Sequence, residues 1–355
     1  MISTTLHPTL SNNFLAIDQA LAHLFPELKG KSILITCGTG FFGKWLLGYL
    51  SYANQAHNLN LTLFVLSRNP TNFLQKNPEF HLATMDGVRW ITGDVRSFRF
   101  DIPVDYVIHA ATEASEKLNK EDPAEMLSVT IEGTRNLLKQ CGSSKNCRIL
   151  LTSSGAVYGT QKSDYLHQSD ESLTGPDTTQ PHSAYAEGKR ISELLASIHS
   201  HQTHHEVVLA RCFAFVGPYL PLDTHFAIGN FISNCLNGEK ILIKGDGTPH
   251  RSYLYAADLV IWLVTLLMRG RNRTSYNVGS EETLSISEIA HRVAKVWKDT
   301  SGNVVPVEIL GRSLPNAPVA RYVPSTARAR NSLSLTQKFG LEESLRHTFA
   351  FFMNK

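Results

Sequence analysis

Cysteine is scarce in this sequence: 5 residues in 355, at Cys37, Cys141, Cys147, Cys212 and Cys235, with no C-x-x-C pair. That argues against a disulfide-built fold and against paired-thiolate metal sites, and it reads as reduced thiols in a cytoplasmic protein. Long apolar runs are missing too. None approaches the ~20 residues of a membrane span, and the start, MISTTLHPTLSNNFLAIDQALAHLF, lacks the basic lead and apolar stretch of a signal peptide. Neither sign of charge dominates: 34 basic and 31 acidic side chains leave +3. Lys and Arg are scattered rather than striped, which argues against a nucleic-acid partner. Of 15 histidines, His201, His204 and His205 form a local group, with no cysteine beside them in sequence. The expectation there is a solvated helix end or loop and no metal.

What the chain does have is length for a sizeable core, in one large or two modest domains. Residues Asn13 to Phe25 alternate at helical spacing and suggest a short helix ahead of the fold. Then come SILIT, LTLFVLS (Leu61–Ser67), VRWITGD (Val88–Asp94), DYVIHAA (Asp105–Ala111), RILLTSS (Arg148–Ser154) and EVVLARC (Glu206–Cys212). Helix-like segments separate several of these short runs, notably Pro123 to Cys141 and Tyr185 to His199. Short apolar strands alternating with helices predict an α/β protein with a parallel, doubly wound sheet of the Rossmann type. From about Phe213 the rhythm loosens into loops such as GDGTPH, which predicts a smaller C-terminal α+β lobe. The expected division is an extension over 1–30, a dinucleotide-binding domain over 31–212 and a substrate-binding lobe over 213–355. Segments around 250–275 are expected to pack back onto the sheet.

The first strand leads into ITCGTGFFGKWLL, which places Gly38, Gly40 and Gly43 in a G-x-G-x-x-G frame before a helix. In that context glycines let backbone N–H groups approach a pyrophosphate at the helix N-terminus. A dinucleotide site is the expectation, NAD(P). A carboxylate at the end of the second strand would select NAD through the ribose hydroxyl. The chain has LSRNP there, with Ser67 and Arg68 and no acid. An Arg facing a 2′-phosphate tilts the reading to NADP(H), while NAD stays open and Arg68 also reads as an ordinary strand-end cation. Asp94, ending the third run, is placed to meet the adenine amino group.

The strongest chemical signal is TSSGAVYG (Thr152–Gly159) followed by SAYAEGKR (Ser183–Arg190). Tyr185 and Lys189 stand at i and i+4 and share one helical face. An ammonium beside a phenol favours the phenolate, which suits Tyr185 to exchange a proton with a carbonyl/alcohol pair. A Ser154 hydroxyl from the strand end can bond the same oxygen.

Together ITCGTGFFG, HAAT, TSSGAVYG and YAEGK resemble the extended short-chain dehydrogenase/reductases that modify nucleotide sugars. The resemblance runs from roughly Lys31 to the C-terminus. Its later segments, NFISNCLNGEKILIKGDGTPHRSYLYAADL, YNVGS and RYVPSTARARNSL, are most similar to the sugar-nucleotide lobe of UDP-glucuronate decarboxylases, 4,6-dehydratases and 4-epimerases. Carried over, it implies Tyr185 as acid/base, Lys189 as its modulator and a ribose ligand, and Ser154 on the sugar oxygen. It places Gly38, Thr39, Gly40, Phe41, Phe42, Gly43, Arg68, Asp94, Ala110 and Ala111 along the cofactor, and Asn230 and Arg251 on the nucleotide diphosphate. Asp258 is expected to stabilise its own turn and helix start rather than touch substrate. A homodimer through a helix pair that includes the Tyr/Lys helix is implied as well.

The departures from the family are informative about the reaction. In 4,6-dehydratases Asp and Glu follow the catalytic Thr, and decarboxylases carry a Glu at the second position; here Gly155 and Ala156 stand there. Neither transfers a proton, which argues against elimination and puts decarboxylation in doubt. Ala214 replaces the Asn of an F-N-x-x-G-P frame, and Phe213 and Phe215 make its surroundings apolar, which would fit a deoxygenated sugar. Cys37 takes the place of the first glycine in the family's T-G-x-x-G-x-x-G loop; if its φ is positive, it costs about 1–2 kcal/mol of strain. The expected reaction is reduction of a nucleotide-linked 4-keto-6-deoxyhexose, with 4-epimerisation as the alternative. Dehydration or decarboxylation ranks below both, and a non-catalytic dinucleotide-binding protein last, because the Tyr/Lys pair is intact.

Overall fold

The computed structural model describes residues 8–80, 87–110, 116–162, 164–223, 226–312 and 318–354. The chain divides into two compact units. The first comprises Met1–Val157, Pro176–Arg211 and Val260–Tyr276. It is built on strands β1 (Ser32–Thr36), β2 (Thr62–Ser67), β3 (Val88–Thr92), β4 (Tyr106–His109), β5 (Arg148–Ser154) and β6 (Glu206–Cys212). With Thr274–Val278 they form a seven-stranded sheet in the order Thr274–Val278, β6, β5, β4, β1, β2, β3. The pairings among β1 to β5 are parallel. This is the doubly wound Rossmann-type α/β fold that the alternating pattern predicts. Strand order reverses between β1 and β4, whose last residues pair as Thr36 with His109. Doubly wound sheets bind ligands beyond the carboxyl ends of the strands at such a reversal.

Near-continuous burial of β1, β2 and β5 explains their unalternating apolar sequences. One core layer joins Leu34, Val107, Ile149 and Leu151 of the sheet with Leu137 and Leu138 of the helix Pro123–Gln140. That helix starts where Asp122 accepts the Glu125 N–H at 2.9 Å and a proline occupies the first turn.

The N-terminal helix spans Pro8–Leu21 rather than Asn13 to Phe25. Its buried stripe is Leu10, Phe14, Ile17 and Leu21, a helical spacing that begins before Asn13. It gives way to a 3-10 turn, Ala22–Leu24, and a separate short helix, Phe25–Leu28, because Pro26 cannot supply an N–H within a continuous helix. Phe14 packs edge-on to Tyr49, with ring centroids 5.8 Å apart, and Asp18 accepts hydrogen bonds from Tyr49 and His57. The histidine group also differs from expectation. His201 and His204 are exposed, but His205 is buried, bonded to His199 at 2.8 Å and to the Ser144 carbonyl at 2.8 Å. Its apolar neighbours Val207 and Val208 draw it inward.

The second unit comprises Tyr158–Gly175, Cys212–Leu259 and Asn277–Lys355. In it Leu284–Ser285, His250–Arg251 and Arg321–Tyr322 form a small three-stranded sheet, and Ile241–Ile243 pairs with Val307–Ile309. A capping box, Ser285 with Glu288, opens the helix Ile286–Ser301. Asn277 is a fully buried hub. Its side chain accepts from the Tyr158 hydroxyl at 2.7 Å and donates to the carbonyls of Gln168 and Ser325. Asp258 is the acidic residue in the first turn of the helix Ala256–Arg269, where the helix dipole favours it. Its carboxylate accepts the backbone N–H groups of Lys338 and Phe339 at 2.9 and 3.1 Å, and burial pushes its pKa up to about 7.

Candidate active site

Cys37, the residue after β1, has φ +58°, the left-handed region where a side chain is strained. The strained alternative for Cys37 is therefore the one the fold adopts. Gly38 and Gly43 answer to close approach instead. A Cβ on Gly38 would lie 2.2 Å from Val65 Cγ1, and one on Gly43 would lie 2.3 Å from the Cys37 carbonyl oxygen. The loop is thus pressed onto both β2 and the following helix, Phe41–His57. The first intrahelical bond runs from Lys44 N–H to the Gly40 carbonyl at 2.8 Å. The N–H groups of Phe41, Phe42 and Gly43 therefore lie at the open end of the helix, where the helix dipole favours an anion. Thr39, Gly40, Phe41 and Phe42 are half-buried around that end. The loop fits a pyrophosphate: glycine cradle, helix N-terminus and a position at the sheet reversal.

At the end of β2 the Ser67 hydroxyl is buried and Arg68 is exposed. Asp94, beyond β3, holds Arg96 through both carboxylate oxygens, at 2.9 Å to Nε and 3.0 Å to Nη2. The Arg96 hydrogen bonds keep the Asp94 carboxyl below the usual carboxylate range, and the charge of Arg68 adds a smaller pull in the same direction. The structure thus brings Arg68 and Asp94 into one electrostatic neighbourhood. Ala110 follows β4 directly, its N–H donating to the Thr36 hydroxyl at 3.1 Å. Ala111 lies outside the described residues.

The three chemical residues sit on two neighbouring elements of the first unit. Ser154 ends β5, buried, and its Oγ accepts the Ala156 N–H at 3.1 Å. Tyr185 and Lys189 lie in the first two turns of the helix Ala184–Gln202. Lys189 Nζ stands 6.0 Å from the Tyr185 ring centroid. Lys189 is 5% exposed, and its ammonium donates to the Thr152 carbonyl at 2.8 Å, which holds the charge inside the protein at the strand end. One turn further along the helix, Glu193 accepts from Ser153 Oγ at 2.5 Å and forms a fork with Arg211, 2.9 and 2.7 Å. Strand β5 is thereby locked to the tyrosine helix at both Thr152 and Ser153.

Behind this group His109 is wholly buried. Its Nε2 meets the Thr134 hydroxyl at 3.1 Å and its Nδ1 the Thr36 hydroxyl at 2.9 Å. Burial first, and the Lys189 charge second, push its pKa down to about 3. It is a neutral strut tying β1, β4 and the helix Pro123–Gln140, and although it opens the HAAT stretch the sequence reading gave it no role.

In the second unit Asn230 is exposed on the helix Ala227–Leu236, and Arg251 is half-buried, its Nη1 donating to the His250 carbonyl at 2.8 Å. Strand pairing sets His250 beside Arg321 and Arg251 beside Tyr322. His250 Nδ1 and Arg321 Nε are buried without a hydrogen-bond partner among the described residues. Burial and then the Arg321 charge lower the His250 pKa. Arg321 is a cation beside His250 that the sequence reading did not assign. Its only signal was a place in the segment RYVPST. Ala214 donates nothing from its side chain; its carbonyl accepts the Leu254 N–H at 3.0 Å, and Phe213 stacks on Tyr322 with centroids 4.7 Å apart.

Among the described residues no group of His, Cys, Asp and Glu could hold a metal ion, and no helix is long and apolar enough to cross a membrane.

A family model described as NAD dependent epimerase/dehydratase family matches residues 33–279. UDP-glucuronic acid decarboxylase 6 of Arabidopsis thaliana is 31% identical over 320 residues, covering 88% of this chain and 86% of that protein. UDP-glucuronic acid decarboxylase 1 of Xenopus tropicalis is 28% identical over 346 residues, covering 95% and 77%. Among solved structures, the epimerase Mth375 of Methanothermobacter thermautotrophicus superposes with TM-score 0.75 at 22% identity, covering 98% of this chain and 97% of that one. UDP-glucuronic acid 4-epimerase of Bacillus cereus, in complex with UDP-glucuronic acid and NAD, gives 0.72 at 21% identity, covering 91% and 99%.

Proposed function

The chain belongs to the NAD dependent epimerase/dehydratase family and is an enzyme; on that premise we propose that it reduces C4 of a nucleotide-linked 4-keto-6-deoxyhexose with a nicotinamide cofactor. One observation carries this reading: Lys189, bonded to the Thr152 carbonyl of β5, stands 6.0 Å from the Tyr185 ring centroid, Ser154 ends the same strand, and the two residues after Ser154 are Gly155 and Ala156. Proton and hydride transfer to a ketone are thus provided for, and the carboxylates for elimination or decarboxylation are not.

A bound nicotinamide supplies the hydride to the carbonyl carbon. The chain does the rest. Tyr185 gives its phenolic proton to the C4 oxygen as that oxygen gains charge, so ketone, hydride and proton balance to an alcohol. Ser154 Oγ donates to the same oxygen and orients the carbonyl. The Lys189 ammonium lies close enough to favour the charge left on the phenol. Gly38 to Gly43 hold the pyrophosphate, and Arg68, with no acid at the end of β2, accepts a 2′-phosphate, which favours NADP(H). Arg251 and Asn230 serve the nucleotide diphosphate, the Arg fork suiting phosphate geometry. Ile191, Leu194 and Ile198, exposed along the tyrosine helix at 37%, 60% and 43%, form an apolar stripe that suits a homodimer.

A second reading, 4-epimerisation with retained NAD, is favoured by the fold neighbours, several of which are 4-epimerases solved with NAD. One experiment separates the readings. The purified protein is given NADPH or NADH with a panel of nucleotide 4-ketosugars, UDP-hexoses and UDP-glucuronic acid. Loss of nicotinamide absorbance with a ketosugar supports reduction. Interconversion of hexoses without that loss replaces reduction by epimerisation, and release of carbon dioxide from UDP-glucuronic acid replaces both.

A further inference from the structure

The helix that carries Tyr185 and Lys189 begins without a cap of its own. Ser183, at the N-cap position, makes no side-chain bond to the helix. Its hydroxyl instead donates backward to the Asp177 carbonyl at 2.6 Å. Tyr185 is the second residue of the helix, so its N–H is one of those left without an intrahelical acceptor. A different element fills the gap. Asn119, from the helix Glu116–Glu121, accepts the Tyr185 N–H on Oδ1 at 2.9 Å and donates from Nδ2 to the His182 carbonyl at 2.7 Å. One amide therefore grips the chain on both sides of Ser183, and both its polar ends are used.

The two members of the catalytic pair are anchored separately. Lys189 is tied to the Thr152 carbonyl on β5. Tyr185 is held at its backbone by Asn119. The distance between the ammonium and the phenol ring is thus set by two anchors one helical turn apart, only one of which lies in the sheet. A first helical turn without a cap frays, and fraying moves Tyr185 while Lys189 stays fixed.

We propose that Asn119 is a positioning residue for Tyr185, capping its helix from outside and fixing the phenol relative to Ser154 and Lys189. This rests on the acid/base reading of Tyr185. Proton transfer is steeply sensitive to geometry, so the loss falls on turnover rather than on binding. Asn119 touches neither the glycine loop nor the Lys189 ammonium through any hydrogen bond described above.

The test compares the native chain with Asn119→Leu and Asn119→Asp, the latter keeping an acceptor for the Tyr185 N–H alone. In Asn119→Leu, kcat falls about tenfold while KM for the sugar nucleotide and the affinity for NAD(P)H stay within about twofold. The descending limb of its kcat–pH profile moves to higher pH, since Tyr185 must hold the proton it gives and a phenol drawn away from the ammonium keeps it to higher pH. Asn119→Asp recovers most of kcat and the native profile. Amide hydrogen exchange at Tyr185 is followed in parallel, since it needs no substrate: Asn119→Leu accelerates it and Asn119→Asp restores protection. Unchanged kcat, profile and exchange in Asn119→Leu overturn the proposal. So does a loss confined to KM, or faster exchange with kcat intact. If the native chain turns over no nucleotide sugar, the proposed function falls, and unchanged Tyr185 exchange in Asn119→Leu would then remove the anchor as well.

Discussion

The Lys189 ammonium donates to the carbonyl of Thr152 at 2.8 Å, two residues before Ser154 in the same strand. A buried cation is thereby fixed to the strand end where the proposed reaction sets the sugar oxygen. Lys189→Met should lower turnover about hundredfold or more and weaken NAD(P) binding, since the ribose and the phenol lose one shared partner. Tyr185→Phe should lower kcat as strongly while cofactor affinity, read by nicotinamide fluorescence, stays near native. Similar cofactor affinities in the two variants would contradict the division of roles.

Cys37 holds φ +58° at the first turn of the loop. Replacing it with glycine relieves strain of about 1 kcal/mol, partly offset by the freer unfolded chain. Cys37→Gly is expected to raise Tm by about 1–3 °C in the cofactor-free protein. A lower Tm would mean that the thiol contributes packing worth more than the strain.

Arg68 is exposed at the end of β2, within electrostatic reach of Asp94. Arg68→Ala should weaken NADP(H) binding about tenfold and leave NAD(H) binding within about twofold, as measured by fluorescence titration. Equal losses for both cofactors would remove the 2′-phosphate role.

His109 is neutral in the fold because burial, then the Lys189 charge, lower its pKa from 6.5 to about 3. The unfolded chain takes up that proton first as pH falls. The contribution of His109 is therefore fully present above pH 6.5 and is lost as pH drops toward 3, at up to about 1.4 kcal/mol per pH unit. Asp258 runs the other way: with its pKa raised from 3.8 to about 7, its contribution is present at low pH and lost as pH rises through 7. Denaturant midpoints between pH 7 and 4 should accordingly show a shallower acid decline, or a rise on acidification, in His109→Gln. An unchanged slope would show that His109 is not the proton acceptor.

The sheet was legible because its strands are buried on both faces and read as uninterrupted apolar runs between helical segments. The Tyr185–Lys189 pair was legible because helical spacing alone puts i and i+4 on one face. Cys37 was only half legible: sequence marked the position, but the sign of φ is a property of the folded turn. His109 stood in the quoted HAAT stretch without an assigned role, and Asn119 left no signal. Each acts through partners far along the chain, Thr36 and Thr134 for one and His182 and Tyr185 for the other, and nothing local distinguishes them from ordinary polar residues. Arg321 was missed for the same reason, since only strand pairing sets it beside His250. His205 was misread because a run of histidines suggests solvent, whereas the strand beginning at Glu206 draws its neighbour into the core.

The most direct test of C4 hydride transfer is isotopic. NADPH deuterated at nicotinamide C4 is incubated with a nucleotide-linked 4-keto-6-deoxyhexose, and the product is read by proton NMR. One deuterium at sugar C4 per nicotinamide oxidised is the predicted result, and Tyr185→Phe should yield almost no labelled product. Sugar consumed with no deuterium at C4 would contradict the account.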